Sequence, residues 1–417
     1  MKIFLLMLAA QPAFAAAESW SFHDQATFVT QEHPGFSSPY SGPKSLASEE
    51  KPQTSVTATL FLGARAWKGL EAYLDPELSG GSGLSSTAGV AGFPNGEIYR
   101  VDDTRPKWSL ARAFVRQTFG LGGGEESEDV AGDQNQLAGR VDRRRVVLVA
   151  GRFALNDYLD QVSYAHDPRT QFLNWTLMDF GAWDYAADTR GYTWGLLVEW
   201  REKVWTVRFA SALEPVAANQ LELSTRYPRN RGDNLEFEYR YPGGVARALV
   251  YRNQADMGAY AAATADVTLT RGHRVKAGAG LSVEQELGSG WGGFGRFSFA
   301  DGRFETWAFT EIERAIALGA THGGAGWGRP ADVVGLALLG NGLAGDHRDY
   351  LARGGAGFMV GDGRLNYAWE QIFEGYYSLK AVDSLALTAD FQFIRNPGYN
   401  ADRGPVPVFA ARMHYAM

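Results

Sequence analysis

The sequence predicts an all-β protein, an antiparallel transmembrane β-barrel. Three observations carry that prediction: an export leader at the start, repeated runs that are apolar on one face and charged on the other, and no later stretch of 18 apolar residues. A helical membrane span needs about 20 such residues, so an exported chain without them is either soluble or a barrel.

The leader is MKIFLLMLAAQPAFAAAE. Lys2 precedes a short apolar run from Ile3 to Ala10, and the small residues Ala13, Ala15 and Ala17 suit signal peptidase. The expected organisation is a signal peptide over residues 1–17 and a single transmembrane β-barrel domain over 18–417. The chain has no Cys, so an exported fold of this size relies on backbone pairing and packing, which a closed sheet supplies. Its 50 Gly in 417 residues are about 12%, against a usual ~7%. Tight turns between many strands use such Gly, and a 13% aromatic content suits strand ends at a membrane interface. A net charge of -7 argues against nucleic acid as a partner.

Taken in chain order, the two-faced runs begin with Trp108 to Gly120, which sets Arg112, Phe114 and Arg116 on one face. Val146 to Phe153 adds Arg152. In Gly191 to Arg201, Tyr192, Trp194, Leu196, Val198 and Trp200 oppose Thr193, Glu199 and Arg201. Lys203 to Leu213 places Trp205, Val207 and Phe209 opposite Arg208, with Glu202 and Lys203 forming a tight hairpin before it. The clearest run is Asp233 to Tyr241, where Leu235, Phe237, Tyr239 and Tyr241 alternate with Glu236, Glu238 and Arg240. Arg274 to Leu287, Arg364 to Phe373, Asp383 to Ile394 and Val406 to Met417 repeat the pattern. Each run is about 10 residues, the length a tilted membrane strand needs. A charge facing lipid at the midplane costs about 2–4 kcal/mol, so the charged faces belong to the lumen.

Val245 to Asn253 and Phe304 to Leu318 have no clear assignment. The polar or Gly-rich stretches Ser79 to Gly96, Gly122 to Gln136 and Gly319 to Gly328 read as surface loops. Asn156 to Asp188 is rich in Tyr, Trp, Asn and Asp and does not alternate, which suits a loop folded into the pore, with Trp175 as its aromatic candidate. A soluble sandwich or propeller is the alternative, but its strands are shorter and put the polar face outward.

Motifs for chemistry are weak. G-x-S-x-G, H-E-x-x-H and G-x-x-x-x-G-K are absent, and the His residues lack metal-ligand spacing. Gly340 to Gly345 matches G-x-G-x-x-G and reads as a turn between strands. Asp102 with Asp103, and Glu125 with Glu126, read as loop carboxylates, and the Asp-Gly steps at Asp301 and Asp362 as turns rather than calcium loops. No catalytic residue, metal or cofactor is expected. What remains is a lumen with charges of both signs beside aromatic rings, a surface suited to hydroxyl-rich solutes such as sugars. The candidate solute-binding residues are Arg112, Phe114, Arg116, Arg152, Trp175, Glu199, Arg208, Glu236, Glu238 and Arg240. For each Arg the competing role is a salt bridge to an inward Glu on the neighbouring strand.

The passages HDQATFVTQEHPGFSSPYSGPKSL, LGARAWKGLEAYLDPELSGGSGLSSTAGVAGFPNGE, GRFALNDYLDQVSYAHDPRTQFLNW with YAADTRGYTWGLLVEW, GRPADVVGLALLGNGL through GDGRLNYAWEQIFEGYYSL, and DFQFIRNPGYNADRGPVPVFAARMHYAM occur in that order. Together they make the chain similar to the carbohydrate-selective porin family of Gram-negative outer membranes. The resemblance implies a barrel of 16 strands, long extracellular loops, an inward-folded constriction loop, and passive diffusion of mono- and oligosaccharides without a cofactor. It also implies Arg and Glu beside aromatic residues at the constriction, matched here to Arg112, Arg116, Arg152, Glu199 and Arg208. Expected partners are sugars, outer-membrane lipid and the barrel-assembly machinery, with a monomer and a homotrimer both left open. A general porin for small solutes and a barrel-type outer-membrane enzyme are the alternatives. One departure is the C-terminus, which ends in Met417 with Tyr415 two places earlier, where family chains end in an aromatic residue.

Overall fold

Alternation of apolar and polar residues leaves a strand one oily and one wet face, and closing the sheet on itself removes the edges that would expose unpaired backbone in lipid. The computed structural model describes residues 17–98, 104–122 and 126–417. The signal peptide expected over 1–17 falls, apart from Ala17, outside the described residues, as do Asp102, Asp103 and Glu125.

The strands are β1 Trp20–Glu32, β2 Gln53–Trp67, β3 Leu70–Gly81, β4 Lys107–Gly120, β5 Ser127–Val130, β6 Gly139–Asp142, β7 Arg145–Phe153, β8 Thr193–Arg201 and β9 Trp205–Leu213. They continue as β10 Arg231–Tyr241, β11 Gly244–Gly258, β12 Arg271–Gly288, β13 Trp291–Ala300, β14 Arg314–Gly323, β15 Val333–Gly342, β16 Glu370–Val382, β17 Leu385–Arg395 and β18 Val406–Ala416. All except β5 and β6 form one closed antiparallel barrel of 16 strands, each beside its neighbours in chain order, with β18 returning to β1. The closing seam runs from Gln25 opposite Ala416 to Glu32 opposite Phe409. Strands β5 and β6 pair only with each other, inside the connection from β4 to β7.

Burial settles which face is which. On β10, Leu235, Phe237 and Tyr239 are exposed while Asn234, Glu236 and Glu238 are buried. On β15, Leu336 and Leu338 are exposed and Asn341 is buried. This inverts a soluble sandwich, where the apolar face meets a second sheet. Lipid is the solvent that makes an exposed Leu and a buried Glu favourable on one strand. Exposed Trp20, Trp67, Trp200 and Trp291 sit near one end of the barrel and Trp108, Trp194 and Trp369 near the other, as interfacial girdles require.

Connections differ between the two ends. Lys68–Gly69, Pro242–Gly243, Ser289–Gly290 and Asp383–Ser384 are two-residue turns at one end. Residues 33–52, 82–106, 154–192, 214–230, 259–270, 301–313, 343–369 and 396–405 are the long connections at the other. By the rule for outer-membrane barrels, the short turns are periplasmic and the long loops extracellular.

Several local readings change. Val245 to Asn253 is part of β11, with Arg247 buried inward and Arg252 exposed outward toward the long-loop end. Phe304 to Leu318 divides into loop and the first part of β14. Arg364 to Trp369 is loop, because β16 begins only at Glu370, and Gly319 to Gly323 belongs to β14. Tyr192 precedes β8 and is buried, since Gly191 turns the chain at φ 93° before the alternation starts. Gly340 to Gly345 is not a simple turn: β15 ends at Gly342 and the helix Gly345–Ala352 follows. That helix buries His347, which lies 2.8 Å from Glu313 and stacks on Tyr260, contacts invisible to local sequence.

Leu338→Arg places a charge on the lipid face midway along β15, and we expect it to destabilise the barrel by about 2–4 kcal/mol. Urea-dependent folding into lipid vesicles, compared with wild type, measures the loss.

Candidate functional site

Segment 154–192 leaves β7 and folds into the barrel instead of outward. A loop inside the lumen carries backbone amides with no ladder partner, and each unpaired one costs about 1–3 kcal/mol. Inward carboxylates of the wall accept them. Glu236 accepts from the Asp160 amide at 2.7 Å, and Glu284 from the Ser163 amide at 2.6 Å. Glu374 accepts from Leu173 at 2.5 Å and Asn174 at 3.0 Å. Asn174 then caps the short helix Trp175–Met178 by accepting from the Thr176 amide at 3.0 Å. Arg296 reaches in from β13 to Asp160 at 3.0 Å and the Leu177 carbonyl at 2.6 Å.

Between this loop and strands β1 to β4 lies a cavity of about 460 Å³. Gln25, Thr57, Phe61, Glu77, Arg112, Phe114 and Arg116 form its wall side. Phe93 and Glu97 enter from the connection after β3, and Phe309 from that after β13. The inner loop supplies Asp157, Tyr158, His166, Arg169, Trp175, Tyr185 and Tyr192.

Charge and aromatic surface meet at this cavity. Arg112 grips Asp157 with two bonds of 2.7 and 2.5 Å, lies 3.6 Å from Asp75, and sits 5.2 Å from the centre of the Tyr192 ring. Arg116 bonds Glu71 at 2.7 Å and Tyr73 at 2.6 Å, with its charge 4.9 Å from the Tyr73 ring centre. Arg169 lies 3.0 Å from Glu97 and 3.9 Å from Glu77, whose other contacts include the Tyr192 hydroxyl at 3.0 Å. Burial pushes the Glu97 carboxyl up to about 7, against the opposing pull of Arg169. Phe93, Trp175 and Phe309 stack in sequence at 5.1 and 5.4 Å, and Tyr185 stacks on Phe309 at 4.9 Å.

The expected site residues fall into three groups. Arg112, Phe114, Arg116 and Trp175 line the cavity. A bulge near Ala111, opposite the step from Asp75 to Pro76, sets the phase that turns Arg112, Phe114 and Arg116 inward. Arg208 faces the lumen from β9 but is bound by Glu199 at 2.7 Å, Glu236 at 2.9 Å and Glu238 at 3.0 Å. Arg240 pairs with Glu238. These five form a wall network outside the cavity lining. Arg152 is a correction to the lumenal expectation: its register opposite Ala113 and exposed Trp194 gives it the outward parity. At the rim it binds Asp188 at 2.6 Å and the Leu110 carbonyl at 2.9 Å.

Glu77 was legible as an inward residue, since Tyr73, Asp75, Glu77 and Ser79 alternate with Leu74 and Leu78 along β3. Glu97, Asp157, Arg169 and Phe309 were not, because each arrives on a loop whose path depends on distant acceptors. Among the described residues no cluster of His, Asp and Glu has the arrangement of a metal site.

The family described as carbohydrate-selective porin, OprB family, matches residues 44–417. No curated protein sequence matches the chain. Among solved structures, OprB of Pseudomonas putida at high pH is similar with a TM-score of 0.71 and 15% identity, covering 96% of this chain and 94% of that one. The outer membrane channel DcaP of Acinetobacter baumannii gives 0.55 and 7%, covering 95% and 97%. In-vitro folded OmpT of Vibrio cholerae gives 0.51 and 9%, covering 97% and 99%. At these identities the likeness is one of fold.

Glu374→Ala leaves the Leu173 and Asn174 amides without their acceptor inside the lumen. We expect a folded, heat-modifiable barrel whose single-channel current is larger and noisier than wild type, because the inner loop is released from the wall.

Proposed function

The chain belongs to the carbohydrate-selective porin, OprB family, of the Gram-negative outer membrane, and from that premise we propose that sugars cross it through the cavity between β1 to β4 and the inner loop. The observation that carries this reading is the convergence of Arg112, Arg116, Arg169, Glu77, Glu97 and Asp157 on one cavity beside the Phe93–Trp175–Phe309–Tyr185 stack.

Each part has a chemical task. Sugar hydroxyls accept from guanidinium groups and donate to carboxylates, while the C–H face of a pyranose lies on an aromatic ring. Net hydrogen bonds of about 1 kcal/mol each, with ring contact added, sum to a few kcal/mol. A millimolar Kd corresponds to about −4 kcal/mol, strong enough to select and weak enough to release. The ion pairs hold the polar groups in place before the solute arrives, so less ordering is lost on binding. Passage is diffusion down a gradient and needs no bond to be made or broken. Arg208, Glu199, Glu236, Glu238 and Arg240 support the wall and the loop rather than touching solute.

Processing and assembly follow the same reading. Residues 1–17 direct export and are removed, the exposed aromatic face meets outer-membrane lipid, and β18 with Tyr415 is offered to the barrel-assembly machinery. A general porin would have the same barrel and no saturable response to sugar.

For Arg112→Ala with Arg116→Ala we expect sugar block of the single-channel current to weaken by at least about tenfold, the equivalent of 1.4 kcal/mol, with the barrel still folded. Unchanged block would remove both residues from the site. Glu97 becomes charged as pH rises through about 7, so wild-type cation selectivity should increase between pH 5 and pH 8, and Glu97→Gln should flatten that change. Reversal potentials in a potassium chloride gradient measure it.

A further inference from the structure

The connection from β4 to β7 lies at the short-turn end, yet it spans 121–144 and carries the β5–β6 hairpin. Its tip, Asp133–Gln136, does not hang into the periplasm. It enters the barrel and lines the same cavity that the extracellular loop closes from the other side.

The tip is a built element. Asp133 and Gln136 exchange backbone hydrogen bonds of 2.9 and 3.0 Å, and Asn135 takes the left-handed conformation at φ 54°, which Asn tolerates. Three strands hold it at different heights. Gln134 Nε2 donates to Gln25 Oε1 at 3.0 Å, Asn135 Nδ2 to Asp75 Oδ2 at 2.8 Å, and Arg116 Nη1 to the Asn135 carbonyl at 3.1 Å. The following residues are fixed by the Leu137 amide on Tyr73 Oη at 3.2 Å and the Ala138 amide on Glu18 at 2.7 Å. Reaching Asp75 from Leu70, where β3 begins, takes the tip about 16 Å along the strand, well inside the lumen. Asn135 Oδ1 is buried and accepts no protein hydrogen bond.

We propose that Gln134, Asn135 and Gln136, with Gln25 of β1, form a second selectivity element on the periplasmic side of the cavity, a collar of side-chain amides for neutral, hydroxyl-rich solutes. Guanidinium and carboxylate groups rule the rest of the cavity, and Arg116 and Asp133 flank the tip itself. Amides offer donor and acceptor together and carry no charge of their own, which suits an uncharged polyol passing between those charged groups. The proposal rests on the cavity being the solute path.

The test uses the full-length porin in planar bilayers. Gln134→Ala with Asn135→Gly removes two of the four collar amides, those bound to Gln25 and Asp75, and keeps a backbone that Gly adopts freely. The expected result is a potassium chloride conductance raised roughly twofold and weaker block by sugar added from the periplasmic side. Gln134→Glu should shift the reversal potential toward cations. Wild-type conductance and reversal potential in both variants, each migrating as a folded, heat-modifiable barrel, would overturn the proposal. A raised conductance with unchanged sugar block would also overturn the amide role. The potassium chloride readings need no sugar, so a wild-type pore indifferent to sugar counts against the sugar path and leaves the placement of the tip decided by current alone.

Discussion

Everything in this lumen depends on supplying acceptors for backbone amides that no strand can pair. A loop turned into a barrel leaves the ladder, and its N–H groups meet a low-dielectric, crowded interior where an orphan is costly. The wall answers with carboxylates at inward strand positions: Glu236, Glu284 and Glu374 for the inner loop, and Glu370 for Ala91 and Gly92 of the loop after β3. The extracellular loops use the same device, with Asp184 accepting from the amides of Trp307, Ala308 and Phe309 at 2.9 to 3.0 Å. Inward acid is therefore first a structural material in this protein.

Function occupies the remainder. Once wall carboxylates hold the loops, the groups left around the cavity are the Arg112, Arg116 and Arg169 guanidinium groups with their counter-ions, and the aromatic stack that the loops bring together. Phe309 reaches Trp175 only because Asp184 fixes the 307–309 backbone and Glu374 fixes the start of the inner helix. A change in a wall carboxylate can thus move an aromatic ring of the cavity lining.

The barrel was legible in the sequence because its signal is periodic and local. Leu235 to Tyr241 declares its two faces without reference to any other strand, and the same holds for β9, β12, β17 and β18. Arg112, Phe114 and Arg116 could be placed on one face for that reason. Failures came where periodicity ended. Tyr192 was read with β8 although Gly191 turns the chain just before it, and Arg152 was assigned to the lumen although its partners Ala113 and Trp194 face outward. Glu199, Arg208, Glu236, Glu238 and Arg240 were correctly seen as inward, but alternation cannot tell a solute contact from a loop anchor or an ion-pair partner. That distinction depends on the path of residues 154–192, which is set by acceptors up to 218 positions away in sequence.

The most direct test of the account is the single-channel current of the wild-type porin in a planar bilayer, with glucose and then longer oligosaccharides titrated in. Stepwise conductance that sugars block saturably, at millimolar concentration, is the predicted result. Stable conductance that ignores sugar at every concentration would contradict a sugar-binding constriction, leaving the same loops and carboxylates around a pore that sieves by size alone.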